Sequence, residues 1–200
     1  MAALLVENVG TLLTMDPTLA PLETEIRNAC IAIEDGLVVF SGKSTDLPDD
    51  LEIEERLDAG GRLVTPGLVE CHTHIVWGGH RQEDFKRRTS GVSYAEIARM
   101  GGGILSTVEM TRAASYDQLL ESTLARLDEL ARQGVTTVEI KSGYGLDLPT
   151  ELKILGVVKR PNELHSLPLL PPFLCALVPP RQFKHPVDDF VTLGGDEMLP

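Results

Sequence analysis

Two histidines separated by one residue, His72 and His74, stand in the run Leu63-Val64-Thr65-Pro66-Gly67-Leu68-Val69-Glu70-Cys71-His72-Thr73-His74-Ile75-Val76-Trp77. On an extended strand, residues two apart point to the same face, roughly 7 Å apart at the backbone, so both imidazoles can converge on one ion. That geometry suits a metal such as zinc. A bare His-x-His pair is a weak sign, because ordinary histidines produce it by accident. Its setting adds weight. Thr65-Pro66-Gly67 sets a turn ahead of the pair, an apolar run of buried-strand type surrounds it, and Gly78-Gly79-His80-Arg81 follows as a flexible exit. A barrel strand delivers ligands to its C-terminal rim in this way.

The elements that must hold such a pair change character near Leu63. Residues 4–64 read as short β-type pieces: Leu4-Leu5-Val6, Thr11-Leu12-Leu13-Thr14, then Ala29 to Ile33 and Leu37 to Phe40 around the hairpin turn Glu34-Asp35-Gly36. The acidic run Asp49 to Glu55 reads as a solvated edge. After the histidine strand, Ser93 to Met100 is expected as a short helix, and the glycines at 101–103 as a flexible loop near the site. No Lys-Ser or Lys-Thr closes that glycine run, so it is not a phosphate-cradling loop. Ser115 with Gln118 forms a capping box, Leu119, Leu120, Thr123, Leu124, Leu127, Leu130 and Ala131 repeat at helical spacing, and Gly134 stops the helix. A strand Val135 to Ile140, a loop Gly143-Tyr144-Gly145 and a helix from Thr150 to about Lys159 follow. Alternating strands and helices point to a parallel α/β barrel with its chemistry in the loops after the strands.

Composition bounds the function. With 42% apolar residues in 200, the chain can bury one sizeable core, and a net charge of −12 argues against nucleic acid or an anionic membrane as partner. Cys30, Cys71 and Cys175 are odd in number and widely spread, unlike a disulfide framework. The opening Met1 to Glu7 lacks a basic leader, and no stretch approaches a membrane span, so a cytoplasmic location is expected.

Thr65-Pro66-Gly67-Leu68-Val69-Glu70-Cys71-His72-Thr73-His74 resembles the first-strand signature of the amidohydrolase superfamily. Gly78-Gly79-His80-Arg81, Gly101-Gly102-Gly103-Ile104, Thr111-Arg112-Ala113-Ala114 and, above all, Val138-Glu139-Ile140-Lys141-Ser142-Gly143-Tyr144-Gly145-Leu146 resemble the imidazolonepropionase family within it. The resemblance implies an incomplete (β/α)8 barrel over residues 64–200, preceded at 1–63 by part of a small β-sandwich domain. It implies hydrolysis of the cyclic amide of 4-imidazolone-5-propanoate to N-formimidoyl-L-glutamate in histidine degradation. One divalent metal ion, zinc or iron, would be held by His72 and His74 and would activate water. Arg81 and Tyr144 are implied as substrate-binding residues. The guanidinium fork of Arg81 suits a propionate carboxylate, and Tyr144 presents a hydroxyl to the ring or to the product. Glu139 and Lys141 are expected to line the barrel without a direct role, and Cys71 and Trp77 to be packing residues.

Two departures from the family pattern stand out. Pro168, Pro171, Pro172, Pro179 and Pro180 crowd the place where a third barrel strand belongs, and proline lacks the donor a central strand needs. Where the family ends that strand in Phe-Leu-Gly-Ala-His, this chain reads Phe173-Leu174-Cys175-Ala176-Leu177-Val178, through compensating frameshifts near 161–178 or through divergence. His165 and His185 occupy other positions and take no role. The second departure is length, since a complete barrel alone needs about 250 residues. The family's remaining ligands and its acid/base groups are therefore expected beyond Pro200, and no catalytic acid or base is assigned here. An inactive truncated fragment, and another metal-dependent cyclic amidohydrolase or deaminase, remain the alternatives. Open strand edges would favour poor solubility or assembly of the chain with itself.

Overall fold

The computed structural model describes residues 3–16, 18, 24–164 and 167–170. The chain divides into two compact units, Met1–Pro66 and Gly67–Pro200. In the first, β1 (Ala3–Leu13), β2 (Glu25–Glu34), β3 (Leu37–Lys43), β4 (Ile53–Asp58) and the short β5 (Leu63–Val64) form one sheet in the order β3-β2-β1-β4, with β5 also on β1. The two segments expected at Leu4–Val6 and Thr11–Thr14 are one strand, bent by a register shift between Val6 and Val9 where Asn8 takes φ 53°. A bulge absorbs the polar interruption without ending the ladder. The Asp35-Gly36 turn closes β2 on β3 with Glu34 opposite Leu37, both turn residues having positive φ. That is the conformation an Asp-Gly hairpin supplies at low cost. The acidic β4 runs parallel to β1 at the sheet edge, mostly exposed, as a solvated edge should.

In the second unit β6 (Leu68–Thr73) leads to helices α1 (Gln82–Thr89), α2 (Tyr94–Arg99), α3 (Ile104–Ala113) and α4 (Tyr116–Arg132). β7 (Val135–Ile140), α5 (Leu148–Leu164) and β8 (Leu169–Leu170) follow, and β6, β7 and β8 form a parallel sheet in that order. The expected capping box of Ser115 with Gln118 opens α4, and a second one, Ser93 with Glu96, opens α2. The α4 stripe turns Leu119, Thr123 and Leu127 inward, and Leu119 and Leu127 pack with Val138 and Ile140 of β7 and Ile154, Val157 and Val158 of α5. Apolar burial on this scale is the main source of stability in such a unit.

The structure corrects several expectations. The histidine stretch is not one buried strand: it is split by the unit boundary into β5 and β6, and Leu68 and Val69 are 53% and 63% exposed. Among the described residues β6 is an edge strand, which leaves its apolar side chains uncovered. Cys71 is exposed for the same reason and is no packing residue. The glycine run is not loose, since Gly102 and Gly103 are buried and the Gly103 amide donates to Asp84 Oδ2 at 2.7 Å. Helix α5 starts two residues before Thr150, because Asp147 Oδ1 accepts the Thr150 amide at 2.8 Å as an N-cap does. At the proline cluster β8 is only two residues long and begins directly after Pro168. The readings at Phe173 to Val178, His165 and His185 lie outside the described residues. No helix of the described residues is long and apolar enough to cross a membrane.

Candidate active site

His72 is the penultimate residue of β6 and His74 follows the strand end. Their ring centroids lie 5.5 Å apart, edge to face. His74 is partly buried against Tyr144, whose ring centroid is 5.4 Å away at an interplanar angle of 55°. Burial holds the His74 pKa below its usual value. The Ser142 backbone opposes this lowering, and the positive potentials of His72 and Lys141 add to it. The neutral imidazole is thereby favoured, which is the form that ligates a metal.

The strand end is fixed from both sides. Thr73 Oγ1 donates to Glu139 O at 2.7 Å and the Lys141 amide to Thr73 O at 2.8 Å, tying β6 to the end of β7. Lys141 and Glu139 form an ion pair there, partly buried. On the other side Arg126 of α4 lies over the Trp77 ring at 3.3 Å from its centroid and donates to the carbonyls of Ile75 and Trp77, at 2.8 and 3.2 Å. Burial lowers the Arg126 pKa to about 10, so it stays charged at neutral pH. Arg126→Met is expected to destabilise the chain by about 1–3 kcal/mol, by removing two charge-assisted hydrogen bonds and a cation–π contact. Urea unfolding followed by the fluorescence of Trp77, the single tryptophan, measures it; an unchanged midpoint would contradict this role.

A cleft of about 470 Å³ opens beside these groups, lined by His74, Trp77, His80, Arg81, Gln82, Phe85, Thr107, Met110 and Tyr144. Three of the four residues singled out in the sequence, His74, Arg81 and Tyr144, thus face one space. Arg81 sits at the N-cap position of α1 and is exposed. The fourth, His72, is exposed and touches the cleft only through His74.

The donor set fits part of a metal centre. Both His74 ring nitrogens are buried and make no hydrogen bond of good geometry with any described residue, leaving a lone pair to offer an ion. His72 adds a second nitrogen donor beside it. Among the described residues no group of three or more His, Cys, Asp or Glu gathers as a metal site, and a catalytic zinc typically takes three protein ligands and an open position. The pair fits as two of those donors.

Sequence reasoning missed three residues that shape the site. Glu151 is fully buried, with Oε2 accepting from the Gly143 amide at 2.7 Å and Oε1 from the amides of Gly145 and Leu146 at 2.7 and 2.9 Å. Burial raises its pKa, while those amides and the Ser142 hydroxyl oppose the rise. Arg112 Nε donates to Gly145 O at 2.7 Å and pairs with Asp147 Oδ2 at 2.8 Å. In sequence, Glu151 looks like an ordinary first-turn acid at a helix N-terminus. Arg126 looks like a surface charge on an amphipathic helix, and nothing local marks either role.

Over 190 residues the chain is 44% identical to a protein of Agrobacterium fabrum, covering 94% of this chain and 44% of that one; over 159 residues it is 49% identical to one of Paracoccus denitrificans, covering 80% and 40%. A protein of Ralstonia nicotianae matches at 48% over 176 residues, 88% of this chain and 43% of its own. The chain's relatives are imidazolonepropionases. It spans less than half the length of the imidazolonepropionases it matches. No family model matches. Among solved structures it is similar in fold to triazine hydrolase from Arthrobacter aurescens, with TM-score 0.65 and 20% identity over 98% of this chain and 43% of that one. A mutant atrazine chlorohydrolase of the same organism, complexed with zinc and atraton, aligns at TM-score 0.51 and 21% identity over 97% and 42%. Among the described residues the chain is mixed α/β with open sheets.

Proposed function

We propose that this chain carries the metal-binding and substrate-binding part of an imidazolonepropionase, which opens the cyclic amide of 4-imidazolone-5-propanoate to N-formimidoyl-L-glutamate in histidine degradation. What carries the reading is that His74, Arg81 and Tyr144 face one cleft in a chain whose relatives bear that name. Arg81 binds the propionate carboxylate with its paired donors, an anion contact that an otherwise acidic protein needs. Tyr144 directs its hydroxyl at the ring or the product. Trp77, Phe85 and Met110 give the cleft an apolar wall that excludes water from the flat ring. His72 and His74 hold a zinc or iron ion, and Arg126 and the β7 strand end keep that strand terminus in place. When bound, such an ion supplies Lewis-acid polarisation of the ring carbonyl and activation of the attacking water. The acid/base groups are not assigned to residues of this chain.

In this reading the second unit is the opening of a (β/α)8 barrel, supported by its parallel β6-β7-β8 order, and the first is part of a small β-sandwich. The protein acts in the cytoplasm on a small molecule, with neither nucleic acid nor membrane as partner. A different cyclic amidohydrolase would share His72 and His74, but the Lys141 to Leu146 stretch favours the imidazolonepropionase reading.

Titrated with 4-imidazolone-5-propanoate in the presence of zinc, residues 1–200 are expected to bind it saturably without releasing N-formimidoyl-L-glutamate, because two histidines leave the donor set short. Calorimetry and product analysis read the two results separately. Absence of binding would overturn the substrate reading; product in proportion to the chain would overturn the argument from two donors.

A further inference from the structure

We infer that Glu151 and Arg112 are positioning residues that together set Tyr144 against His74. The inference rests on the reading of Tyr144 as a ligand-facing residue, but its geometry stands apart from any reaction. Within the loop from Ser142 to Leu146, the amides of Gly143, Gly145 and Leu146 all donate to the two carboxylate oxygens of Glu151, from within the first turn of α5. The glycines make this wrapping possible. Gly143 takes φ 124°, and a Cβ on Gly145 would come 2.9 Å from Glu151 Oε1, closer than real side-chain contacts allow. Leu146 holds φ 54°, a conformation an L-residue keeps only where its surroundings impose it.

The outward carbonyl of the same loop is held separately. Arg112, at the end of α3, donates through Nε to Gly145 O and pairs with Asp147. Lys153 of α5 in turn donates to the carbonyls of Thr111, Arg112 and Ala114, locking that end of α3 to α5. The loop is therefore gripped at its amides by one charge and at its carbonyl by the opposite one, with Tyr144 between two clamped glycines. This gives a role to the Thr111-Arg112-Ala113-Ala114 motif, which does not reach the cleft through Arg112. Replacing the carboxylate by an amide keeps the volume and one acceptor oxygen but turns an NH2 donor toward at least one of these backbone amides, so Glu151→Gln breaks the inner grip on one side.

The test is histidine-ring NMR on the 200-residue chain, in which the Tyr144 ring current displaces the His74 ring-proton resonances. Tyr144→Leu defines their position without an aromatic neighbour, and Tyr144→Phe is expected to leave them near wild type. Glu151→Gln is expected to move the His74 resonances most of the way to the Tyr144→Leu position, and Arg112→Gln part of the way, with far-UV circular dichroism unchanged. His74 resonances at their wild-type position in a folded Glu151→Gln chain would overturn the inference. Should Glu151→Gln fail to fold, the exposed Arg112→Gln decides, and an unmoved His74 there overturns it. Binding of imidazole-4-propionate is read alongside: failure of the wild type to bind it counts against the substrate reading alone, since the ring shifts need no ligand.

Discussion

In an enzyme completed to the length of its relatives, His74→Ala is expected to lower kcat/KM for ring opening by at least about 10³-fold, on the order of 4 kcal/mol of transition-state stabilisation. His74 is the better buried of the two proposed ligands, and its ring nitrogens make no hydrogen bond of good geometry with any described residue. Removing it empties a donor position, and among the described residues no group of three or more His, Cys, Asp or Glu gathers to replace it. His72→Ala removes the other donor and should act in the same direction, with a smaller loss of bound metal if the exposed position is partly replaced by water. Metal content measured with the steady-state rates separates loss of the ion from loss of substrate. A His74→Ala enzyme that retains both metal and rate would remove His74 from the centre.

Arg81→Met is the second large effect, and it has a different kinetic form. A charged hydrogen-bonded contact to a carboxylate contributes roughly 1.5–3 kcal/mol, so KM should rise about 10- to 150-fold while kcat changes little. The propionate arm is remote from the amide that breaks, so its contact is made equally in ground and transition states. Arg81→Lys should recover part of the loss, because one ammonium keeps the charge but not the paired donors. Steady-state kinetics across the three forms measures this, and a fall in kcat at constant KM would move Arg81 from binding to chemistry.

Much of this arrangement was legible in the sequence because the signals were local. The hairpin at Asp35-Gly36, the cap at Ser115 and the Leu119 to Ala131 stripe each depend on residues within a few positions of one another. The His-x-His pair and Tyr144 were legible through motif, and the fold brings their rings together. What escaped depends on distance along the chain or on what covers a surface. Leu68 and Val69 look buried by type, yet exposure is set by strand order, which a local reading does not contain. Arg126 reaches a strand end about 50 positions away, and Arg112 a loop more than 30 away. Glu151 was closer, but a first-turn glutamate gives no sign that its carboxylate will turn back into the preceding loop. The helix start at Leu148 was available from Asp147 followed by a proline in the first turn, and Thr150, expected to begin the helix, lies two residues inside it.

The most direct measurement joins this chain's residues 1–170 to the remaining part of the Agrobacterium fabrum relative and assays N-formimidoyl-L-glutamate release from 4-imidazolone-5-propanoate with zinc or iron supplied. The account predicts turnover in the joined protein that disappears in its His72→Ala/His74→Ala form. A joined protein that folds and binds the ion, yet never opens the ring, would contradict it.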